Sequence, residues 1–301
     1  MADGGGVASH AMRADTVGGL VNAMVAILEG TFGDGARREA QDLLAALHDM
    51  PRHWPTLERA QRVSTEEWMR AIRAAKRRAR GAPLQYAAGR ASFRHLTLDV
   101  DDRVLIPRPE TEQLVELVLD ALHAEPPGVV VDVGTGSGAI ALAIASEGNA
   151  SMVIGTDVSV DALTVARANV ARHASVLRAP VELRAGSVLG PVHERGLRAV
   201  VSNPPYISWG ERDALPATVR DWEPPVALFS DAEGMAVTAR LVRDASAALA
   251  PRGVLALEVD SRRASVAAEL IATDGSYEMV QVVLDLTGRE RFVVARRRGT
   301  E

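Results

Sequence analysis

The chain has 301 residues, 47% of them hydrophobic and 24% charged, a balance that suits a globular fold with a sizeable core and room for two domains. A formal net charge of -5 and a pI near 5.9 give no global sign of a polyanion-binding protein. The absence of cysteine removes disulfides, thiolate nucleophiles and cysteine-based zinc sites and is compatible with a reducing cytosol, and no uninterrupted apolar stretch approaches the ~20 residues that a membrane helix needs.

Residues 1 to about 15 are small and polar and are expected to be disordered. From Thr16 to about Arg80 apolar residues recur at three and four, as in Leu43, Leu44 and Leu47, among helix-forming Ala, Glu and Arg, which predicts a small helical domain. The apolar patch from Val17 to Leu28 contains Asn22 and lacks a basic flank, so it reads as an amphipathic helix and not a signal peptide. Ser64 followed by Glu67 matches a capping box that opens the last helix of this domain. The basic run RAAKRRAR, 73 to 80, holds the only lysine of the chain, Lys76, and reads first as a solvated helix face and second as a contact for an acidic partner or RNA.

GAPLQYAAG, 81 to 89, breaks the helical pattern with Gly and Pro, and FRHLTLDVDDRVLI, 93 to 106, partly alternates around the turn-prone pair Asp101 and Asp102, suggesting a hairpin. Pro107 and Pro109 flank Arg108, after which ETEQLVELVLDAL, 110 to 122, resumes helical periodicity. The expected organisation is a helical domain over 1–90, a hairpin linker over 91–107 and a second domain over 108–301.

From Gly128 short apolar runs alternate with helical segments: VVVDV at 129 to 133, MVIGTD at 152 to 157, VELRA at 181 to 185, AVVSN at 199 to 203 and VLALEVD at 254 to 260. Strands separated by helices predict a parallel α/β sheet covered on both faces. MVQVVLDL at 279 to 286 and RFVVARR at 291 to 297 have only TGRE between them, so they form an antiparallel pair at one edge.

Two loops carry chemistry. DVGTGSGAIALAIA, 132 to 145, is a strand, a turn with Gly134, Gly136 and Gly138, and a helix, an arrangement that lets backbone approach a ligand closely and offers unpaired helix N–H groups. The spacing is neither the dinucleotide fingerprint nor a phosphate-binding P-loop. Asp157 closes the next strand, where an acid is placed to accept hydrogen bonds from ribose hydroxyls. The second loop, SNPPYI at 202 to 207, ends a strand with two prolines between Asn203 and Tyr206. Together the glycine turn, the strand-terminal acid and NPPY resemble the S-adenosylmethionine-dependent methyltransferases.

For such chemistry NPPY reads as a clamp on a planar NH2 group, whose delocalised lone pair makes it a poor nucleophile. The Asn203 side-chain oxygen and the Pro204 carbonyl each accept one N–H, stabilising the positive charge that develops on nitrogen, while Pro205 brings no competing donor and the Tyr206 ring stacks on the plane. Glutamine side chains, adenine and cytosine all present such a group.

The remaining motifs narrow the choice. LIPRPETEQLVE at 105 to 116, PLQYAAG, NPPYI, RDWEPPVALFSDAEGM and DLTGRERFVVARR resemble the release factor glutamine methyltransferases along nearly the whole chain. The resemblance implies a Rossmann-like, seven-stranded class I methyltransferase domain preceded by a small helical substrate-docking domain, S-adenosyl-L-methionine as cofactor and no metal. It implies a cytoplasmic enzyme whose partner is a peptide chain release factor, methylated on the glutamine of its Gly-Gly-Gln motif, with no membrane and no direct nucleic-acid contact. A ribosomal-protein glutamine or a nucleic-acid adenine is the alternative substrate, and a cofactor-binding module without catalysis is the alternative of another class. By the same resemblance the cofactor is held by Gly134, Thr135, Gly136, Ser137, Gly138, Asp157, Val188 and Asn203, and the target glutamine by Asn203, Pro204, Pro205 and Tyr206. Two residues depart from the family pattern: Ser187 stands where Asp is common, and EVD at 258 to 260 replaces Glu-aliphatic-Gly. Glu258 reads as a sheet-end carboxylate with no catalytic role.

Overall fold

The structure, a computed structural model, describes residues 15–299. The expected disorder of the amino terminus falls mostly on residues 1–14, outside the described residues. The chain divides into two compact units, one up to Arg90 and one from Ala91.

The first unit is helical, as the three-and-four spacing predicts. Helices Val17–Phe32, Ala36–His48 and Thr65–Ala79 bury Leu20, Met24, Leu28, Leu43, Leu44 and Ala71 completely in one apolar cluster. Both halves of the capping box are present: Ser64 Oγ accepts from the Glu67 N–H at 3.2 Å, and Glu67 Oε2 accepts from the Ser64 N–H at 2.7 Å. GAPLQYAAG does not simply interrupt the helices. Leu84–Ala88 forms one more helical turn, which Gly89 ends at a φ of 74°, a left-handed conformation that glycine adopts without strain. On Thr65–Ala79 the basic run turns Ala74 and Ala75 inward, while Arg73, Lys76 and Arg80 are exposed and Arg78 pairs with Glu39 and lies over the Phe32 ring.

A hairpin of β1 (Arg90–Phe93) and β2 (Leu96–Asp99) lies at the start of the second unit, its first residue being the last of the helical one. The expected turn at Asp101 and Asp102 is misplaced. The hairpin turns at Arg94 and His95, and Arg94 takes a φ of 52° because its backbone N–H donates to Glu112 and its guanidinium binds Glu147 and Glu116. Asp101 makes a separate turn, its Oδ1 accepting from the Arg103 N–H at 3.1 Å.

β3 (Val129–Val133), β4 (Met152–Asp157), β5 (Val181–Ala185), β6 (Leu197–Ser202), β7 (Leu249–Glu258), β8 (Tyr277–Leu284) and β9 (Glu290–Arg297) form one sheet in the order β5-β4-β3-β6-β7-β9-β8. The first five pair in parallel with one another; β9 runs antiparallel to β7 and β8, which places the tail pair at one edge as predicted. β3 and β6 are apolar apart from Asp132, Arg198 and Ser202 because helices cover the sheet. No helix among the described residues is long and apolar enough to cross a membrane.

Loss of the Ser64 hydroxyl leaves an orphan N–H at the start of Thr65–Ala79. Ser64→Ala is expected to lower the unfolding free energy by about 1 kcal/mol, read by urea denaturation, with Ser64→Asp close to wild type.

Candidate active site

β3 lies between β4 and β6, so the chain leaves β3 towards one edge and returns, after β5, on its other side. At such a reversal the loops from adjacent carboxyl ends diverge and open a crevice. Here those loops are the glycine turn and NPPY. Gly134, Gly136, Asp157, Val188, Asn203 and Pro205 line a common cleft there.

Asp132 organises the first loop. It is fully buried near the end of β3, and its Oδ2 accepts from Thr135 Oγ1 at 2.6 Å and from the Ala141 N–H at 3.1 Å. The N–H groups of Gly134 and Thr135 both donate to the Thr156 carbonyl, at 2.8 and 2.9 Å, tying the turn to β4. Gly134, Gly136 and Gly138 take φ of 73°, 54° and 85°, a region that favours glycine. A Cβ built at Gly134 meets no protein atom within 4 Å, and one at Gly136 meets only the Gly134 carbonyl at 4.0 Å, so the space in front of both is open to a ligand. Gly138 instead packs against Leu142 and Ala166. Thr135 and Ser137 are buried behind the turn, one donating to Asp132 and the other accepting through its carbonyl from Asn169. Of these five residues, two glycines line the cleft and three shape the turn.

Asp157 faces the same space. Its Oδ2 accepts from the Gly136 N–H and its Oδ1 from the Ser159 N–H, both at 2.9 Å, and each oxygen keeps a lone pair for a ligand hydroxyl. Burial pushes its carboxyl above the usual range, against the pull of these N–H groups. Val188 has a φ of 54°, a strained value for a β-branched residue, and its carbonyl accepts from Thr156 Oγ1 at 2.9 Å. Ser187 also lines the cleft, and its hydroxyl accepts from Arg240 at 3.0 Å. An open glycine turn, a carboxylate acceptor and the apolar Val188 and Phe229 fit a nucleoside-bearing ligand.

The second loop is fixed at both ends. Ser202 Oγ donates to the Val133 carbonyl at 2.7 Å, locking the end of β6 to β3. Beyond NPPY, the Ile207 N–H donates to the Leu228 carbonyl at 3.0 Å and the Ser230 N–H donates to the Ile207 carbonyl at 2.9 Å. Gly234, at a φ of 85°, sits so close that a Cβ there would collide with the Tyr206 carbonyl. Pro204 is buried, and Tyr206 is half-buried beside the cleft without lining it. Burial, then the nearby Glu258, push the Tyr206 phenol up to about 12, so it stays neutral.

Asn203 is bonded by Thr111, which in turn bonds Glu258, and neither of these has a role in the site on the sequence reading. Its Nδ2 donates to Thr111 Oγ1 at 3.2 Å, and Thr111 Oγ1 donates to Glu258 Oε2 at 2.7 Å. Thr111 lies in the first turn of the helix Pro109–Leu122, while Glu258 ends β7 at 1% exposure. Burial pushes the Glu258 carboxyl up to about 7, with Thr111 and Arg291 opposing. Arg108, from the same RPETE segment, donates to the buried Glu223 at 2.6 Å. The segment itself was the available signal, since a polar run at a helix start needs partners. Asp260, one of the two departures, accepts from the Arg262 N–H at 3.1 Å and caps the turn before the helix Ala264–Asp274.

Known proteins give the same outline. The family description PrmC N-terminal domain matches residues 20–89, and Methyltransferase small domain matches residues 110–217. The release factor glutamine methyltransferase of Gloeobacter violaceus is 42% identical over 212 residues, covering 70% of this chain and 73% of its own length. That of Deinococcus radiodurans is 38% identical over 243 residues, covering 81% and 84%. Among solved structures, the hMettl16 catalytic domain in complex with MAT2A 3'UTR hairpin 1 shares the fold at a TM-score of 0.55 and 14% identity, over 86% of this chain and 92% of that one.

Asp132 carries a pH signature. Burial pushes its carboxyl up to about 7, so the fold favours the protonated form. A raised folded-state value adds stability that is full below the unfolded value near 4 and is lost as pH rises through about 7. Melting temperatures between pH 4 and pH 7 are therefore expected to fall less steeply with pH in Asp132→Asn than in wild type; an unchanged slope would assign the effect to other groups.

Proposed function

The chain belongs to the release factor glutamine methyltransferase family, and we propose that it transfers a methyl group from S-adenosyl-L-methionine to the side-chain amide nitrogen of the glutamine in the Gly-Gly-Gln motif of a peptide chain release factor. The observation that carries this is the convergence of Gly134, Gly136, Asp157 and Asn203 on one cleft at the reversal between β3 and β6. The cofactor supplies an electrophilic methyl group on a sulfonium. Everything else is positioning.

In this scheme Gly134 and Gly136 receive the methionine part of the cofactor against bare backbone, with Thr135, Ser137 and Gly138 holding the turn behind them. Asp157 accepts from the ribose hydroxyls, and Val188 offers an apolar wall to the base. The Arg240–Ser187 bond puts a neutral hydroxyl where relatives commonly have an acid. Asn203 Oδ1 and the Pro204 carbonyl accept the two N–H groups of the target glutamine and leave its nitrogen lone pair facing the methyl group. Pro205 adds no donor, and the neutral Tyr206 ring covers the amide plane. No side chain needs to remove a proton before transfer, because the methylated nitrogen is acidic enough to lose it to water. A translation factor as substrate implies a cytoplasmic setting, and the helical unit up to Arg90 is assigned to docking that factor.

Purified protein incubated with methyl-labelled S-adenosylmethionine is expected to label a wild-type release factor and not one whose Gly-Gly-Gln glutamine is replaced; equal labelling of the two would sink the substrate assignment. Asn203→Ala is expected to lower kcat by about a hundredfold or more, the scale of removing one preorganised polar contact to developing charge. Its cofactor affinity, measured by calorimetry, should stay within a few-fold of wild type.

A further inference from the structure

An amide has a donor end and an acceptor end, and the clamp works only if Asn203 turns its oxygen to the substrate NH2 group. The two ends are nearly the same size, so packing alone does not choose between them. We propose that Thr111 and Glu258 are positioning residues that decide which end of the Asn203 amide faces the cleft. The proposal rests on the role given above to Asn203.

The choice follows from counting protons. A hydroxyl carries one hydrogen and two lone pairs, and an ionised carboxylate only accepts. Thr111 Oγ1 lies 2.7 Å from Glu258 Oε2, so an ionised Glu258 takes the single hydroxyl proton. What Thr111 then offers Asn203, 3.2 Å away, is a lone pair, which only the NH2 end can meet. The carbonyl end is thereby directed to the cleft. With Glu258 protonated the order reverses: the acid donates to Thr111, the hydroxyl proton is released towards Asn203, and the amide oxygen is drawn away from the substrate. The wrong orientation offers two donors to a group that is itself a donor.

The relay is shielded from water, with Thr111 at 4% and Glu258 at 1% exposure, which strengthens each bond and makes an unmade one costly. Around Glu258 the charged neighbours are Arg291 on β9 and Arg108, which favour ionisation, and Glu110 on the helix Pro109–Leu122, which opposes it. The Tyr206 phenol, from the NPPY loop, and Asp260, just past β7, face the same group of charges. Because burial brings the Glu258 carboxyl to about 7, near-neutral pH is where the relay changes direction. A raised value means that the productive, ionised form is populated above about pH 7 and is lost below it.

The test reads the amide directly and turnover separately. The side-chain 15N–1H signals of Asn203, assigned by their loss in Asn203→Asp, should shift with a one-proton midpoint near pH 7 in the wild-type protein. The shift should vanish in Glu258→Gln, shrink strongly in Thr111→Val and return in Thr111→Ser. In the methylation assay, Thr111→Val is expected to lower kcat about 10-fold to 100-fold with KM for the cofactor within about twofold, and Thr111→Ser to recover most of it. Glu258→Gln should lose the acid limb of the kcat profile. Asn203 signals that titrate with undiminished amplitude in Thr111→Val, or an acid limb unchanged in Glu258→Gln, would overturn the relay. If Thr111→Val fails to fold, the Glu258→Gln signals and profile decide alone. A wild-type protein whose Asn203 titrates as described but which labels no release factor would leave the relay standing and refute the proposed substrate.

Discussion

The site depends on one constraint: the parallel pairing of β3 with β6, which brings the glycine turn and NPPY side by side although about 70 residues separate them. The register sets Val133 opposite Ser202, and the Ser202 hydroxyl closes the pair by donating to the Val133 carbonyl at 2.7 Å. A shift of one residue would exchange the faces of every side chain on β6. It would also withdraw Asn203 from the space in front of Gly134. The chemistry thus rests on a strand register, and the buried apolar runs of both strands enforce that register.

Three of the four buried carboxyl groups among the described residues, Asp132, Glu223 and Glu258, each have work that explains their cost. Asp132 accepts two bonds that shape the glycine turn; Glu223 anchors Arg108; Glu258 orients Thr111. Burying such groups is unfavourable unless they are paired or protonated. Asp132 and Glu258, with no full ion pair, are pushed up to about 7, whereas Glu194, half-buried and bonded by Arg184, is held down to about 2. Two carboxyl groups that support the residues lining the cleft are therefore ones whose charge changes near neutrality, a pattern common at functional sites.

The sequence showed much of this at the level of elements. β3 and β4 coincide with apolar runs because parallel strands buried by helices leave few polar positions to blur their ends, while the half-exposed edge strand β5 is bounded in the sequence by Pro180 and Gly186. The hairpin was legible but its turn was not. Asp101 and Asp102 carry strong local turn preference, while Arg94 bends through Glu112 and Glu147, which lie 18 and 53 residues away. The extra turn of helix at Leu84–Ala88 escaped for a related reason: five residues between Gly and Pro show no period.

What the sequence by itself determined was the order of strands and helices, the glycine turn, the NPPY loop and the family, since each is written in adjacent residues. Gly134 can take a positive φ at no steric cost, and the two prolines of NPPY remove backbone donors in any context. What only the tertiary structure decided was how those pieces act on one another. Thr111, Asn203 and Glu258 stand 92 and 147 residues apart along the chain in their two bonds, and no local pattern links them. They meet because one helix start is packed over the carboxyl ends of β6 and β7, and a hydrogen bond is a matter of distance in space. The sequence supplied an asparagine, and the fold chose which end of it faces the cleft.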